Sequence, residues 1–206
     1  MGSLQIIWHG HACFSVRCRD YTVVLDPYQD GAVPGFPPLR LEADCVLCSH
    51  GHHDHNAAEN VKLRAGRESP FTVTALLTFH DDQGGALRGK NTVRILEAGG
   101  LRLAHFGDLG TAALPPEQEA ALQNLDAALI PVGGFFTIGP QEAAALVRRL
   151  RPRVVIPMHY KLGGTGLPMI AELSDFLKLA ENVVRYPVPE LTLDKNTPPQ
   201  TAVLSA

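Results

Sequence analysis

The chain of 206 residues has no apolar run that approaches the ~20 residues needed to span a bilayer. Its N-terminus has no basic segment followed by a long apolar stretch, so the sequence shows no secretory signal. Positive charge is not in excess either, because the net charge is -3 and the pI is near 6.3. These absences predict a cytoplasmic protein with no membrane partner and no nucleic acid as a bulk electrostatic partner.

The four cysteines do not make up a sulfur-only metal site. Cys45 and Cys48 have the spacing of a redox pair or a zinc knuckle, but no second CxxC motif completes a four-sulfur site. Both lie in a segment, 44–48, that is typical of a buried strand. Reduced thiols are expected without a signal peptide, so we predict that the cysteines are structural.

A chain of this length, with 45% hydrophobic and 19% charged residues, fits one α/β domain with a large core. No internal linker divides it, so we predict a single domain over residues 1–206. Apolar and β-branched runs predict strands over 4–8, 13–17, 21–25, 44–48, 71–77, 92–96, 101–105, 126–132, 153–158 and 183–188. Helices are predicted over 56–64, 117–124, 141–150 and 168–179. The tail from Pro189 is expected to add an edge strand or to be loosely held.

The most informative feature of the chain is a histidine-rich segment directly after the predicted strand 44–48. Four of the nine histidines fall within six positions, together with one aspartate. They are His50, His52, His53 and His55, and the aspartate is Asp54. Neutral imidazole is the commonest metal ligand in proteins, because it offers a lone pair at physiological pH. The segment therefore predicts a metal site on a strand-to-helix turn.

Further candidate ligands follow other predicted strands. His80, Asp108 and His159 each lie at or just after the C-terminal end of a different strand. An α/β scaffold concentrates its sites at strand ends on one edge of a sheet, so these side chains can converge with the histidine-rich segment.

The spacing within the segment favours two ions rather than one. His50 and His52 are two residues apart, so an extended backbone points both rings the same way. Asp54 and His55 lie past the bend and can face a second ion. Two metal ions about 3.5–4 Å apart can share a bridging hydroxide and a bridging carboxylate. Asp108 is the candidate bridge, because the preceding glycine permits a close approach.

The segment Ser49-His50-Gly51-His52-His53-Asp54-His55 resembles the HxHxDH signature of the metallo-β-lactamase-fold hydrolases. Asp26-Pro27, Gly107-Asp108 and the isolated late His159 occur in the order of that family. Four further segments are similar to a branch related to the ascorbate-6-phosphate lactonases. They are GHACF at 10–14, HFGDLG at 105–110, PVGG at 131–134 and IPMHY at 156–160. The resemblance covers roughly residues 6–161.

The resemblance implies a four-layer αβ/βα sandwich, with two mixed sheets, helices outside and a metal site at one edge between the sheets. It implies a first ion held by His50, His52 and His80. It implies a second ion held by Asp54, His55 and His159, with Asp108 between the two. His105 is the alternative to His80. Two divalent ions are expected, with zinc first and manganese or iron as alternatives.

This site predicts a dinuclear hydrolase in which a metal-bridging hydroxide cleaves an ester, lactone or phosphodiester bond of a small anionic substrate. The predicted catalytic residues are Asp54, Asp108 and His11. Leaving-group protonation is assigned to His11, Tyr160 or Lys161. Asp26 and His105 are expected to contact ligand side chains from behind, because metal ligands usually need outer partners.

Three other functions are compatible with the sequence. The alternatives are a nuclease of the same fold acting on RNA, redox chemistry at a di-iron centre, and metal binding without turnover. The loop that contains Arg88 either holds an anionic substrate group or is simply solvated. The sequence names neither the substrate nor the oligomeric state.

Overall fold

The structure is a computed structural model that describes residues 2–205, with fourteen β-strands, three α-helices and one 3-10 helix. The first strands are β1 Leu4–Gly10, β2 Cys13–Cys18, β3 Tyr21–Leu25, β4 Leu41–Ala43, β5 Cys45–Leu47, β6 Val61–Leu63, β7 Thr72–Phe79 and β8 Lys90–Ala98. They are followed by β9 Leu101–His105, β10 Ala127–Pro131, β11 Val154–Met158, β12 Val183–Tyr186, β13 Glu190–Leu193 and β14 Gln200–Leu204. The α-helices are α1 Pro116–Ala121, α2 Pro140–Leu150 and α3 Leu173–Leu177.

The first sheet has the order β13-β1-β2-β3-β5 and is mixed. β1, β2 and β3 form the predicted antiparallel meander, whereas β5 pairs in parallel with β3. Successive side chains of β2 and β3 point to opposite faces of this sheet. Phe14 and Val23 point into the main core, while Cys13 and Val24 pack in a second cluster under the loop 27–40.

The second sheet has the order β12-β14-β11-β10-β9-β8-β7. The five strands from β12 to β9 run parallel, and β8 and β7 add an antiparallel hairpin edge. α2 crosses over between the parallel strands β10 and β11. It buries Ala143, Leu146 and Leu150 in the main core, which contains inward residues of both sheets. The two sheets thus enclose one apolar layer between them, as in a sandwich.

The helix predicted over 56–64 is wrong. The segment contains only the 3-10 helix Ala58–Asn60, followed by β6, which pairs in parallel with β4. Its backbone hydrogen-bonds to segments distant in sequence. The Ala57 N–H donates to the Pro27 carbonyl at 2.7 Å, and the Arg64 N–H donates to the Ala43 carbonyl at 2.8 Å. Tertiary pairing has overridden a weak local helix propensity.

The strand predicted over 44–48 is shorter and less buried than expected. β5 is an edge strand that pairs only with β3, so its residues are half-buried. Cys45 and Cys48 are likewise half-buried, and all four cysteines are free thiols.

The C-terminal part of the chain also differs from expectation. The helix predicted over 168–179 is reduced to α3, because residues 171–172 are held in extended form against Lys161. The tail from Pro189 supplies the edge strand β13, as one alternative predicted. It also supplies β14, which lies inside the second sheet between β12 and β11. A segment of low periodicity thus forms a central strand, because parallel neighbours on both sides pair with it.

The remaining predicted strands and helices are confirmed to within a few residues at their ends. Within residues 2–205, no helix is long and apolar enough to cross a bilayer. The single domain over 1–206 stays a prediction, and its end residues Met1 and Ala206 lie outside the described residues.

Candidate metal centre

Strand ends from both sheets deliver the candidate ligands to one edge of the sandwich. β5 leads into the histidine-rich segment, β7 ends before His80, β9 ends shortly before Asp108, and β11 ends before His159. The turn between β1 and β2 adds His11. All seven predicted ligand side chains converge here, as their positions after strands predicted.

Among the described residues, three sets of side chains have ligand atoms that lie within 4.8 Å of one another. Two of them divide the predicted ligands, and the third joins Asp26 to His50 and His55. The outer group consists of His50, His52 and His80. The inner group consists of His11, Asp54, His55 and His159. The predicted division between a first and a second ion runs along the same line, except that His11 joins the inner group.

Asp108 lies between the two groups and is 2% exposed. Its Oδ2 atom is 3.2 Å from His80 Nε2 of the outer group. Its Oδ1 atom is 3.1 Å from His55 Nε2, and its Oδ2 atom is 3.3 Å from His159 Nε2, both of the inner group. One carboxylate can therefore serve both groups.

Gly107 and Asn91 bring Asp108 to this place. Gly107 has φ +55°, and a Cβ atom there would lie 2.5 Å from Ser49 Cβ, so only glycine fits. Asn91 is fully buried, and its side-chain oxygen accepts the Asp108 N–H at 2.9 Å. Sequence patterns do not indicate a role for Asn91, because a single asparagine near the start of a strand forms no motif.

Asp26 hydrogen-bonds to a ligand of the inner group on the side away from the centre, as predicted. Its carboxylate is buried and accepts the Ser49 N–H at 2.7 Å and the His55 Nδ1–H at 2.8 Å. Because Asp26 holds His55 through Nδ1, the Nε2 atom of His55 faces Asp54 and Asp108.

The outer group is oriented by neutral acceptors instead. The Ser49 hydroxyl donates to Asp26, so it accepts from Nδ1–H of His50 at 2.9 Å. His80 donates from Nδ1 to the Phe136 carbonyl at 3.1 Å. Both histidines therefore present an unprotonated Nε2 to the centre.

Within residues 2–205, six buried atoms of the centre have no hydrogen-bond partner. They are Nε2 of His50, His55 and His159, Nδ1 of His11 and His159, and Oδ1 of Asp108. Buried polar atoms are almost always satisfied in proteins, and six such atoms at one point need an explanation. Imidazole and carboxylate donors in this arrangement fit one or two divalent ions of the zinc type.

The electrostatics of the centre suit a cation. Burial lowers the pKa of His50 to about 3 and that of His11 to about 4, so both rings are neutral at physiological pH. Burial alone would raise the pKa of Asp108, but the charges of His159 and His55 hold it well below its usual range. Burial alone would lower the pKa of His55, but Asp108 and the other carboxylates raise it. The pocket therefore favours positive charge, which a metal ion supplies.

Backbone strain is concentrated at the same place. His11, Asp26 and His159 have φ values of 52°, 45° and 53°, in the left-handed region that residues other than glycine seldom adopt. Such residues are typical of functional sites, where the surrounding structure holds them. Here they aim side chains from three strand ends at one point.

His105 is a poor alternative to His80 as a ligand. Its Nε2–H donates to the Ala12 carbonyl at 2.9 Å, and its Nδ1 accepts the Gly107 N–H at 3.2 Å. Both ring nitrogens are thus engaged with backbone, and the ring is fully buried. His105 instead braces the turn that carries Asp108, next to Asp26.

The three residues considered for leaving-group protonation do not line the cavity above the centre. His11 is fully buried, and its Nε2 lies 3.2 Å from Asp54 Oδ2. Tyr160 is buried against Trp8, and the Lys161 ammonium lies 3.5 Å from Glu172. The geometry supports a role for His11 in holding Asp54, rather than one in direct contact with a substrate.

A cavity of about 420 Å³ opens over the centre. Its polar lining residues are His52, His53, Asp54, His80, Arg88 and Asp108, and its apolar lining residues are Ala32, Phe136 and Leu167. The loops 27–40, 81–91 and 161–168 were expected to surround the centre, and each supplies a lining residue. Phe136 comes from a further loop that the sequence did not indicate.

Residues 5–159 match the family model of the Beta-lactamase superfamily domain. A UPF0173 metal-dependent hydrolase from Thermococcus kodakarensis is 30% identical, with 92% of this chain and 100% of the relative covered. Another from Thermoplasma acidophilum is 28% identical, with 78% and 84% covered. A solved structure from Thermotoga maritima, described as a Zn-dependent hydrolase of the metallo-beta-lactamase superfamily, is 32% identical. It covers 98% of both chains with a TM-score of 0.74.

The predicted fold class and its mixed sheets are confirmed by these similarities, while the narrower likeness to ascorbate-6-phosphate lactonases stays a prediction. The family model spans most of the chain, and the relatives match it along most of their own length. The chain therefore belongs to the UPF0173 family of metal-dependent hydrolases, which has the metallo-β-lactamase fold.

Proposed function

We propose that the chain is a dinuclear hydrolase, with one divalent ion in the outer group, one in the inner group, and Asp108 shared between them. The observation that carries this proposal is the pair of ligand groups on either side of a single buried carboxylate. The Nε2 atoms of His50, His55 and His159, which have no hydrogen-bond partner within residues 2–205, support it. His50 and His55 use Nδ1 in hydrogen bonds with Ser49 and Asp26, which leaves Nε2 for an ion. Zinc is the first expectation, with manganese or iron as alternatives.

When bound, such ions lower the pKa of water to about 7 and polarise the oxygen of a scissile carbonyl or phosphoryl group. Asp54 lies at the boundary between the inner group and the cavity, with its side chain 19% exposed. Its Oδ2 atom is held by His11, so the carboxylate has a fixed direction in which to orient an attacking water and receive its proton. His52 and His80 of the outer group share the cavity wall with Asp54 of the inner group, so a substrate entering there meets both groups.

The proposed substrate is a small anionic ester, lactone or phosphodiester. A cavity of about 420 Å³ suits a small molecule, and its wall combines polar groups at the centre with apolar side chains at the side. The open mouth also leaves room for the water that a hydrolysis consumes. A cytoplasmic location belongs to the same proposal.

The metal content of the purified protein tests the proposal directly. Elemental analysis of wild type is expected to find two transition-metal ions per chain. His50→Ala and His159→Ala are each expected to lose about one ion, because each removes a ligand of only one group. His53→Ala is the matched control, since His53 lies in the same segment but in neither group, and it should keep both ions. A wild type that holds a single ion would contradict the dinuclear assignment.

Activity on matched esters, lactones and phosphodiesters separates a catalyst from a protein that only binds metal. Turnover that disappears in Asp108→Asn supports a hydrolase, whereas tight metal binding without turnover on any class supports a binding protein. Affinity for RNA that falls steeply with salt would favour the nuclease. A content of two iron ions would favour redox chemistry.

A further inference from the structure

One cation lines the cavity without a carboxylate partner. Arg88 is half-buried, and within residues 2–205 its guanidinium has no ion pair and no hydrogen bond. Some other arginines are paired with carboxylates, as Arg40 is with Asp30, Arg64 with Asp44 and Arg149 with Glu119. A guanidinium left free on the wall of a concave site is available to a ligand.

The Phe136 ring holds this guanidinium in place. Arg88 Cζ lies 5.6 Å from the ring centroid, within the range of a cation–π contact. The Phe136 carbonyl meanwhile accepts the hydrogen bond from His80. One residue thus positions both a candidate metal ligand and the free cation, so the two face the same cavity.

The loop that carries Arg88 is pre-organised by one carboxylate. Asp81 is buried and accepts four backbone N–H groups, from Gln83 at 2.9 Å, Gly85 at 2.8 Å, Leu87 at 3.0 Å and Arg88 at 2.8 Å. These bonds hold the pKa of Asp81 at about 2, against burial, which would raise it. A rigid loop places a binding group at low entropic cost.

Part of the cavity lining is apolar. Ala32, Phe136 and Leu167 supply it, and Phe136 is the residue that contacts Arg88. A ligand that fills the cavity therefore meets candidate metal ligands, apolar side chains and a planar five-donor cation.

From this arrangement we propose that Arg88 determines substrate specificity by binding an oxyanion, a carboxylate or a phosphate, at a distance from the bond that is cleaved. The substrate class is a small ester or lactone with an apolar segment between that oxyanion and the scissile bond. This inference rests on the proposed hydrolase function for its kinetic test, but not for its binding test.

The kinetic test compares two esters that share a leaving group and a six-carbon acyl chain and differ only at its far end, 4-nitrophenyl hexanoate with a methyl group and mono-4-nitrophenyl adipate with a carboxylate. Arg88→Gln should raise KM for the adipate ester on the order of 10- to 100-fold, as for loss of a charged hydrogen bond, and leave the hexanoate ester nearly unchanged. Arg88→Lys should lie between, because lysine keeps the charge but not the planar fork. Phe136→Leu should raise KM for the adipate ester less than Arg88→Gln does.

Lys90→Gln is the matched control, because Lys90 is an exposed cation two residues away that does not line the cavity. It should leave both KM values within about twofold, since screened surface charges contribute little. An equal effect of Lys90→Gln and Arg88→Gln would replace the proposal with general electrostatic attraction.

The binding test uses calorimetric titration of the metal-loaded protein with inorganic phosphate. Arg88→Gln should weaken binding about 10-fold relative to wild type, while the metal content stays the same. If neither ester is hydrolysed but phosphate binding still falls, the ester substrate class fails and the role of Arg88 in oxyanion binding stands. If phosphate binding and both KM values are unchanged in Arg88→Gln, the role of Arg88 is overturned.

Discussion

The outer and inner groups occupy the same centre but differ in exposure and charge. The outer group has three imidazoles and no carboxylate of its own, and His52 is exposed. The inner group includes the Asp54 carboxylate, and its three histidines are fully buried. The hydrogen-bond acceptors that orient the ligand histidines differ in the same way. In the outer group they are neutral, the Ser49 hydroxyl and the Phe136 carbonyl, whereas in the inner group His55 donates to the Asp26 carboxylate. One fold thus builds a more exposed and a fully buried set of candidate histidine ligands side by side.

The largest effect is expected from Asp108→Asn, because this change removes what the two groups share. An amide keeps the shape but loses the negative charge that lies near His55, His80 and His159. We expect both ions to bind more weakly. Turnover should fall by more than the roughly 10- to 100-fold that is typical when a residue hydrogen-bonded to a metal ligand is replaced. Elemental analysis and the ester assay measure this. Loss of only one ion would mean that Asp108 belongs to one group.

A smaller and one-sided effect is expected from Asp26→Asn. An amide cannot accept the Ser49 and His55 donors as a carboxylate does, so the His55 ring loses its fixed orientation. Metal affinity of the inner group should fall roughly 10- to 100-fold, with a weaker effect on the outer group. Competition with a fluorescent chelator measures both affinities. Asp30→Asn, at an exposed surface pair, is the control and should change neither.

The difference in exposure predicts two phases of metal release. With EDTA in excess, the ion of the outer group should leave first, because the chelator can reach it past His52. His52→Ala should accelerate the fast phase several-fold and leave the slow phase alone. His159→Ala should remove the slow phase. Release of both ions in one phase from wild type would show that the two positions are not independently accessible.

The smallest effect is expected from Ser49→Ala, which removes the acceptor for Nδ1–H of His50. Loss of one buried hydrogen bond costs about 1 kcal/mol, so the outer group should lose about 10-fold in affinity or less. Asp26 also loses one of its donors, but it keeps the Ser49 N–H and His55. The same chelator competition measures the change. If metal affinity falls more in the inner group than in the outer group, Ser49 supports the inner group instead, contrary to this prediction.

Much of the fold and most of the centre could be predicted from the chain itself. The dense histidine segment and the positions of His80, Asp108 and His159 after strands are local features, so one sequence shows them. Strand ends converge in any α/β sheet, which is why those positions predicted a common site. The family resemblance added which residues belong together, and the two groups follow that division.

Other parts depended on contacts between distant segments. The segment 56–64 forms a 3-10 helix and β6 because β4 and Pro27 hydrogen-bond to its backbone. The tail forms β14 because β12 and β11 pair with it on either side. Neither partner can be read from the local pattern. The same holds for Phe136 and Asn91, which reach the centre from loops or strand starts without a motif.

The sequence by itself determined the chemistry of this protein: imidazoles and carboxylates in an order and spacing that suit metal ions, on a scaffold of alternating strands and helices. Only the tertiary structure decided that His11 is buried next to Asp54 and that both nitrogens of His105 are engaged. It also decided that, among residues 2–205, no carboxylate pairs with the guanidinium of Arg88 on the cavity wall. The physical reason is that residue type sets which bonds a side chain can make, whereas burial and neighbours from elsewhere in the chain set which of those bonds are left for a ligand.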